Sequence, residues 1–424
     1  MEVDAKQFLK DGFLILRQAV APERLDHMRL LVELMVDKSK AMSVTERTAD
    51  DPLGGAWYAG GQPRVEVPVV VDEDTAEFVD FCLEENTMGV SRKILQESRC
   101  VLSGIQVMCS PIIDFGHTDW HRDSSAITQA PLFGLTQDLL ENKTGYVQWN
   151  IALYDDDVFW LLPGSHARAT TESERRQLLL DPTAALPDGM CVDLKAGDAV
   201  VYCNLSMHWG SYYSSKMRRT IHLSYRALAG DIFPYSYQIG WVNDLDFSRH
   251  LSAAARSHLE QATQWYAEER DVIEGTMRGI IDNDPVAFLD KLAELHRGEK
   301  HRMVTVVLLC RMMDKIYCLK TEEKAVPGKG PGGVPRDGYL HRDLRDRFTM
   351  EEADILHHRF APLRELLQAG YVKVRERYTN VYAELRPDAE PPNFESRSLR
   401  HFYTNMPEDF GVDEFIASWK DEAG

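Results

Sequence analysis

The sequence lacks the features that mark several protein classes. Its 48 Lys and Arg are outnumbered by 67 Asp and Glu, which gives a formal net charge of −19. This balance argues against nucleic-acid binding, because phosphate contacts need clustered cations. The most apolar stretch, residues 303–313, contains Arg311 and is far shorter than the roughly 20 residues that span a bilayer. Residues 1–12 are acidic and have no apolar core, so we expect no secretory signal and no membrane partner.

The sequence also lacks paired cysteines. Its seven cysteines are scattered, and no two of them form a C-x-x-C pair. An odd number without zinc-type spacing is typical of reduced thiols that pack in the core of a cytoplasmic protein. We therefore expect a cytoplasmic location.

The length and the texture of the chain predict its architecture. With 424 residues, the chain exceeds what one hydrophobic core usually supports, which predicts two structural units. Between residues 100 and 230, short alternating apolar segments are separated by turn clusters, a pattern typical of a β-sandwich or jelly roll. After about residue 245 the apolar spacing becomes helical. We therefore predict an α+β protein. Its jelly-roll domain, with flanking N-terminal helices, covers residues 1–244, and a helical extension covers residues 245–424.

Local patterns predict further elements. The apolar spacing of residues 22–40 favours a helix, whereas the polar, Gly-rich residues 44–64 favour an exposed loop. Thr349, which precedes two Glu residues, predicts the N-cap of a helix that runs toward Gly370. The Pro- and Gly-rich residues 321–338 cannot continue a helix and predict a linker.

The chemistry of the sequence is concentrated in residues 116–123, which read GHTDWHRD. His121 and Asp123 are two residues apart, so in a strand both side chains point to one face and can reach one metal ion. A second imidazole, His208, follows downstream in SMHWGS. Two His and one carboxylate on one face of a ferrous ion leave positions open for a co-substrate and oxygen.

Two other H-x-D pairs compete for this role. His117–Asp119 lies in the same register, so its side chains would share the face of His121 and Asp123. The pair at 121 and 123 is favoured because it follows Trp120, which can shield a metal pocket, and lies further from the turn at Gly116. His117 or Asp119 would then contact the ligand side chains without binding the metal and fix their orientation. The third pair, at 341 and 343, directly follows the linker and predicts a surface turn.

Two adjacent arginines follow His208 in KMRRTIHLSYR. In a strand Arg218 and Arg219 point to opposite faces. Arg218 shares its face with polar residues, and Arg219 shares its face with apolar ones. A planar guanidinium pairs with both oxygens of a carboxylate. Arg218 is therefore favoured as the partner of a co-substrate carboxylate, with Arg219 as the alternative.

In their order, the segments FLKDGFLILRQAV, WHRD, LLPGSH, LKAGDAVVYCN, MHWGS and RRTIHLSYR resemble the phytanoyl-CoA dioxygenase family. Its members are Fe(II)/2-oxoglutarate-dependent oxygenases on a jelly-roll barrel, and the resemblance covers about residues 6–230. It implies that His121, Asp123 and His208 bind iron and that Arg218 holds the far carboxylate of 2-oxoglutarate. It also implies that Asn150 and Gln106 line the co-substrate pocket. The segment before PGSH lacks the Asn-Gly that is common in the family, and HWGS replaces the commoner HGS.

The resemblance implies a reaction as well. A C–H bond of a small-molecule metabolite would be hydroxylated, desaturated or cyclised, while 2-oxoglutarate and O₂ yield succinate and CO₂. Asp123 is retained, whereas halogenating members of the family replace this carboxylate. The negative charge disfavours a large polyanionic substrate. The alternatives are a non-redox metal- or ligand-binding jelly-roll protein and a jelly-roll metal isomerase or dioxygenase that needs no keto acid.

The helical extension has no counterpart in the family's minimal fold. Residues 231–246 are aromatic and apolar, unlike a flexible linker, so we expect the extension to dock on the barrel as one compact unit. The docked helices would stabilise the barrel, help to close the active-site mouth or form a homodimer contact.

Overall fold

The computed structural model describes residues 3–123, 132–228, 246–321 and 344–420, apart from 395, 397, 400, 401 and 403–405. Within these residues, ten strands form two antiparallel sheets. The strands are β1 (Phe13–Leu16), β2 (Arg64–Glu66), β3 (Cys100–Cys109), β4 (Gly116–His117), β5 (Tyr146–Ala152), β6 (Phe159–Leu161), β7 (Met190–Cys191), β8 (Ala199–Tyr202), β9 (His208–Tyr212) and β10 (Arg219–Ala227). The order is β1-β8-β5-β10-β3-β2 in the six-stranded sheet and β4-β9-β6-β7 in the four-stranded sheet.

The two sheets face each other as the halves of a jelly roll. Tyr202 of β8 packs in one buried cluster with Phe159 and Leu161 of β6, which belong to the opposite sheet. Successive residues of a strand point to opposite sides. Ala152 of β5 accordingly joins this inner cluster, whereas Trp149 joins the core on the other side of the sheet. The predicted fold class is confirmed.

Helices from the first half of the chain pack around this barrel. They are α1 (Ala5–Asp11), α2 (Leu25–Thr45), α3 (Ala56–Ala59), α4 (Val67–Val70), α5 (Glu77–Cys82), α6 (Val90–Leu95), α7 (Leu132–Asn142) and α8 (Glu172–Leu180). Trp149 Nε1 donates to Ser91 Oγ of α6 at 3.0 Å, which fixes this helix against the six-stranded sheet. The helix predicted over residues 22–40 corresponds to α2. The loop predicted over residues 44–64 is partly wrong, because Trp57 of α3 buries its apolar ring in the core.

After residue 245 the described chain is mostly helical, with irregular structure between residues 386 and 411. Its helices are α9 (Ala253–Ile281), α10 (Pro285–Leu295), α11 (Arg302–Thr321), α12 (Met350–Arg359), α13 (Ala361–Leu385) and α14 (Val412–Lys420). Thr349 caps α12 as predicted, in a capping box with Glu352. The predicted end near Gly370 is wrong, because α12 ends earlier and α13 runs through Gly370. Burial of Leu363 and Leu367 outweighs the helix penalty of one glycine, about 1 kcal/mol.

These helices contact the barrel directly. Leu259 of α9 belongs to the same buried cluster as Leu223 of β10. Arg226, at the far end of β10 and fully buried, forms an ion pair with Glu269 of α9, with 2.6 Å between Nη2 and Oε1. A buried charge is tolerated only when it is paired. This pair therefore holds α9 at one defined position on the sheet.

Several predicted segments lie outside the described residues. They are residues 231–245, residues 322–338 of the predicted linker and the pair His341–Asp343. The domain boundary at residue 244 therefore stays a prediction. All seven cysteines are unpaired. Within the described ranges, no helix is long and apolar enough to cross a membrane.

The crossing of α9 and α10 depends on one glycine. A Cβ at Gly279 would lie 2.6 Å from the backbone nitrogen of Phe288 and 2.8 Å from its Cα. A Cβ at Gly275, one turn earlier, would meet only side-chain carbons of Lys291, at 3.3 to 3.4 Å. The two helices can therefore approach this closely only with Gly at 279.

We predict that Gly279→Ala lowers the free energy of unfolding by about 1–3 kcal/mol, because the added methyl must push α10 away. Gly275→Ala is the matched control and should be neutral or stabilising by up to about 1 kcal/mol, since Ala favours the helix. Thermal unfolding followed by circular dichroism measures both. Equal midpoints for the two variants would contradict the predicted close approach.

Candidate metal centre

His121, Asp123 and His208 converge at one point of the barrel. His121 and His208 form an isolated antiparallel bridge, and each amide donates to the other's carbonyl at 2.9 Å. Asp123 Oδ1 lies 3.5 Å from His121 Nε2, and its Oδ2 lies 3.4 Å from His208 Nε2. Each residue offers one ligand atom, and these atoms lie within 4.8 Å of one another. No other group of three or more His, Cys, Asp or Glu does so in the part of the chain that the structure describes.

Backbone carbonyls set the tautomer of both imidazoles. His121 Nδ1 donates to Asp119 O at 2.7 Å, and His208 Nδ1 donates to Ser206 O at 2.8 Å. A carbonyl only accepts, so Nδ1 carries a proton in both rings, and Nε2 is the nitrogen that faces Asp123 and can bind a metal. Asp119 therefore supports the site through its backbone carbonyl. His117 packs its ring on Trp209, at 4.2 Å between centroids, and does not join the three ligands.

Asp123 is held by two polar partners. Gln148 of β5 donates from Nε2 to Asp123 Oδ2 at 3.1 Å. Asn204 donates from Nδ2 to the backbone carbonyl of Asp123 at 2.8 Å. The backbone carbonyl of Asn204 accepts from the backbone amide of Asp123 at 2.9 Å. Gln148 was not predicted from the sequence. The period of two along β5 could have revealed it, because Gln148 shares the face of Asn150.

Trp120 does not shield the metal site as expected. It neighbours His121 in the chain, so its side chain points to the opposite side, where it stacks on Trp209 at 5.1 Å between ring centroids. Besides His121, the rings of Phe159 and Tyr202 lie next to His208, at 5.5 and 5.2 Å between centroids. These two residues form the apolar wall of the metal site.

Arg218 is buried in the barrel, and one of its hydrogen-bond donors is left for a ligand. Its Nε donates to Asp156 Oδ2 at 3.0 Å and to Thr220 Oγ1 at 3.1 Å, whereas its buried Nη1 has no hydrogen-bond partner among the residues that the structure describes. Burial works against both charges, but the attraction between them raises the pKa of Arg218 and lowers that of Asp156. The pair is therefore ionised. Arg219 points the other way and pairs with Glu33, with 2.7 Å between Nε and Oε1.

A row of polar side chains crosses the inner face of the six-stranded sheet. In register, Glu66, Gln106, His222 and Asn150 lie side by side on β2, β3, β10 and β5. Gln106 Nε2 donates to both carboxylate oxygens of Glu66 at 2.8 Å, and His222 Nδ1 donates to Asn150 Oδ1 at 2.9 Å. Burial and the nearby Arg64 lower the pKa of His222 to about 3, so its ring is neutral. The predicted residues Asn150 and Gln106 thus belong to one polar wall.

This row lies between the metal site and Arg218. Along β5, Gln148 contacts Asp123, Asn150 belongs to the row, and Ala152 pairs with Thr220, which contacts Arg218. Successive residues on one face of a strand are about 7 Å apart. A ligand that reaches from Asp123 to Arg218 would therefore pass over Asn150.

A jelly roll that holds two imidazoles and one carboxylate around one position defines the 2-His-1-carboxylate class of metal sites. The chain belongs to the phytanoyl-CoA dioxygenase (PhyH) family, whose model matches residues 8–221. The protein is therefore an Fe(II)/2-oxoglutarate-dependent enzyme, with iron as its metal and 2-oxoglutarate and O₂ as co-substrates.

Solved structures are similar to about half of the chain. AviO1 from Streptomyces viridochromogenes Tue57 is 19% identical with a TM-score of 0.38, covering 53% of this chain and 96% of that one. EctD from S. alaskensis with bound Fe is 14% identical with a TM-score of 0.38, covering 53% and 75%. HygX from Streptomyces hygroscopicus with nickel and 2-oxoglutarate bound is 15% identical with a TM-score of 0.38, covering 53% and 88%. No curated protein matches the sequence.

We predict that His121→Ala, Asp123→Ala and His208→Ala each abolish tight binding of Fe(II), or of Co(II) in its place. Each change removes one of three protein ligands. Anaerobic isothermal titration calorimetry measures the affinity, and circular dichroism reports whether the variants fold. Asp119→Ala is the matched control, because Ala keeps the backbone carbonyl that supports His121. If Asp119→Ala lost metal binding while His121→Ala and Asp123→Ala kept it, the metal ligands would be the other H-x-D pair, His117 and Asp119.

Proposed function

We propose that the protein oxidises an unactivated C–H bond of a small-molecule metabolite by hydroxylation, desaturation or oxidative cyclisation, with succinate and CO₂ as co-products. His121, Asp123 and His208 bind the iron in this proposal, and Arg218 binds 2-oxoglutarate. The observation that carries it is the combination of the three convergent ligands with a buried guanidinium that has a donor without a partner.

The donor set fits ferrous iron. Two neutral imidazoles and one carboxylate are typical of non-haem Fe(II) oxygenases, and they leave coordination positions open. Bound iron supplies the oxygen chemistry, and the protein supplies orientation and exclusion of water. Gln148 and the carbonyls of Asp119 and Ser206 orient the three ligands before iron arrives. Such supporting partners typically change metal affinity by about 10- to 100-fold.

The surroundings of Arg218 fit one end of a dicarboxylate. A buried donor without a partner costs about 1–3 kcal/mol, which a ligand carboxylate on Nη1 would recover. Asp156 holds Nε and so fixes the orientation of the guanidinium plane. The neutral His222 and Asn150 lie between Arg218 and the metal site and would contact the middle of 2-oxoglutarate. At the other end of the row, Gln106 donates to Glu66, and the two side chains form the edge of the polar wall.

The substrate is restricted only in broad terms. Asp123 remains available as a metal ligand, which leaves no vacancy for halide and favours oxidation over halogenation. The net charge of −19 would steer a cationic or zwitterionic small molecule toward the site more readily than a polyanion. A cytoplasmic location agrees with the seven unpaired cysteines.

Binding of 2-oxoglutarate to the anaerobic Fe(II) protein separates the two arginines. Arg218→Ala should raise the dissociation constant about 30-fold or more, because losing one partner of a buried charge pair costs about 2–5 kcal/mol. Arg219→Ala, which loses the ion pair with Glu33 and a hydrogen bond to the backbone carbonyl of Arg218, should change it by less than about threefold. Calorimetry measures both, and the reverse pattern would transfer the role to Arg219.

Succinate release tests the reaction itself. The wild-type protein, supplied with Fe(II), 2-oxoglutarate and ascorbate, should form succinate faster with its substrate than without it, and Arg218→Ala should not. A screen of cationic, zwitterionic and neutral metabolites provides the candidates. Metal binding without succinate formation from any of them would favour a non-redox binding protein.

A further inference from the structure

The residues next to the metal-binding histidines form an apolar layer behind the metal site. Trp120 precedes His121, and Met207 and Trp209 flank His208. Their side chains point away from the metal side, because neighbours in an extended chain alternate. All three are at most 2% exposed and lie in one buried cluster. Any shift of this layer would move the backbone of both histidines.

The helical extension supplies four further buried residues of that cluster. The extension residues that are buried in it are Tyr378, Phe394, Leu399 and Phe402. On α13, the partly buried Val374, Val381 and Tyr382 pack against the same cluster. Tyr378, Val381 and Tyr382 follow Val374 by four, seven and eight residues. This spacing places all four side chains on one face of the helix. One face of α13 thus packs behind the metal ligands.

The hydroxyl of Tyr378 links α13 to α8. Arg175 Nη1 donates to Tyr378 Oη at 2.7 Å, and Tyr378 Oη donates to Glu172 Oε2 at 2.8 Å. The residues just after α8 then hold Trp120. Its amide donates to Pro182 O at 2.9 Å, and its indole Nε1 donates to Ala184 O at 2.9 Å. The chain of contacts therefore runs from Tyr378 through α8 to the residue before His121.

We propose that Tyr378 and Phe402 are positioning residues for the metal centre, and that the helical extension is part of the iron site's support. The inference rests on the proposed function only in taking His121, Asp123 and His208 as the metal ligands. Metal coordination tolerates deviations of about 0.2 Å in ligand distance. Two ligands that share one backbone bridge can meet this limit only if the layer behind them is fixed.

Another aromatic cluster of the extension provides the control. Phe360, at the start of α13, stacks on Phe415 of α14 at 5.1 Å between ring centroids. Both residues are fully buried, but they belong to the core cluster that contains neither Trp120 nor Trp209. A change at Phe360 therefore destabilises the extension without entering the layer behind the histidines.

The test compares Tyr378→Leu with Phe360→Leu in the full-length protein. Each variant is titrated with Co(II) alone under anaerobic conditions, and the visible absorption of bound Co(II) reports the coordination geometry. Tyr378→Leu should weaken Co(II) binding on the order of tenfold, the lower end of the range for outer partners of metal ligands, and alter the absorption spectrum. Phe360→Leu should lower the melting temperature as well, yet keep the wild-type affinity and spectrum.

Three outcomes are distinguishable. Wild-type affinity and spectrum in a folded Tyr378→Leu would overturn the inference, as would equal weakening of Co(II) binding in both variants. Tyr378→Phe, which keeps the ring but loses the hydroxyl bonds to α8, should give a spectrum between those of the wild type and Tyr378→Leu. If Tyr378→Leu does not fold, Phe402→Leu replaces it in the test. The same weakening of Co(II) binding is expected, and the same outcomes would overturn the inference. A wild-type protein that binds no Co(II) would instead refute the proposed function.

Discussion

Two backbone hydrogen bonds of 2.9 Å join His121 to His208 and fix the distance between the two imidazoles. Without this bridge, a loop and a strand far apart in sequence would not present ligands to one ion. Buried Arg122 reinforces it, because its guanidinium donates to Ser165 O at 2.6 Å and also to Leu205 O. It thereby ties the segment between the ligands to the turn before β9. Asp123, held by Gln148 and Asn204, then meets both imidazoles.

The second constraint is the compensation of charge inside the barrel. Arg218 and Asp156 are both almost fully buried, and each would be costly without the other. Because their charges cancel, a carboxylate that approaches Arg218 meets an oriented donor rather than a net positive field. Such a site selects by geometry, which suits a flat, bidentate group. The neutral His222 adds no charge along the path to the metal site.

The sequence predicted the barrel because residues 100–230 alternate with period two, and it predicted the site residues because their order resembles one family. The structure brings His121, Asp123 and His208 together, although their roles stay predictions until tested. Gln148 was missed because its meaning depends on strand register. Asp156 was missed because it is one of three consecutive aspartates, and only the turn after β5 decides which of them is buried. Gly370 was misread because a local helix breaker says nothing about the packing that overrides it.

The helical extension packs on the side of the barrel where the four-stranded sheet lies. β4 and β7 have two residues each and β6 has three, so the sheet has little backbone pairing of its own. It nevertheless carries His208 on β9. A weakly paired sheet holds a ligand in place only if its outer face is packed, and the cluster of Trp120, Trp209 and the residues of α13 provides that packing. Residues of the extension thus cover the outer face of the sheet that carries His208.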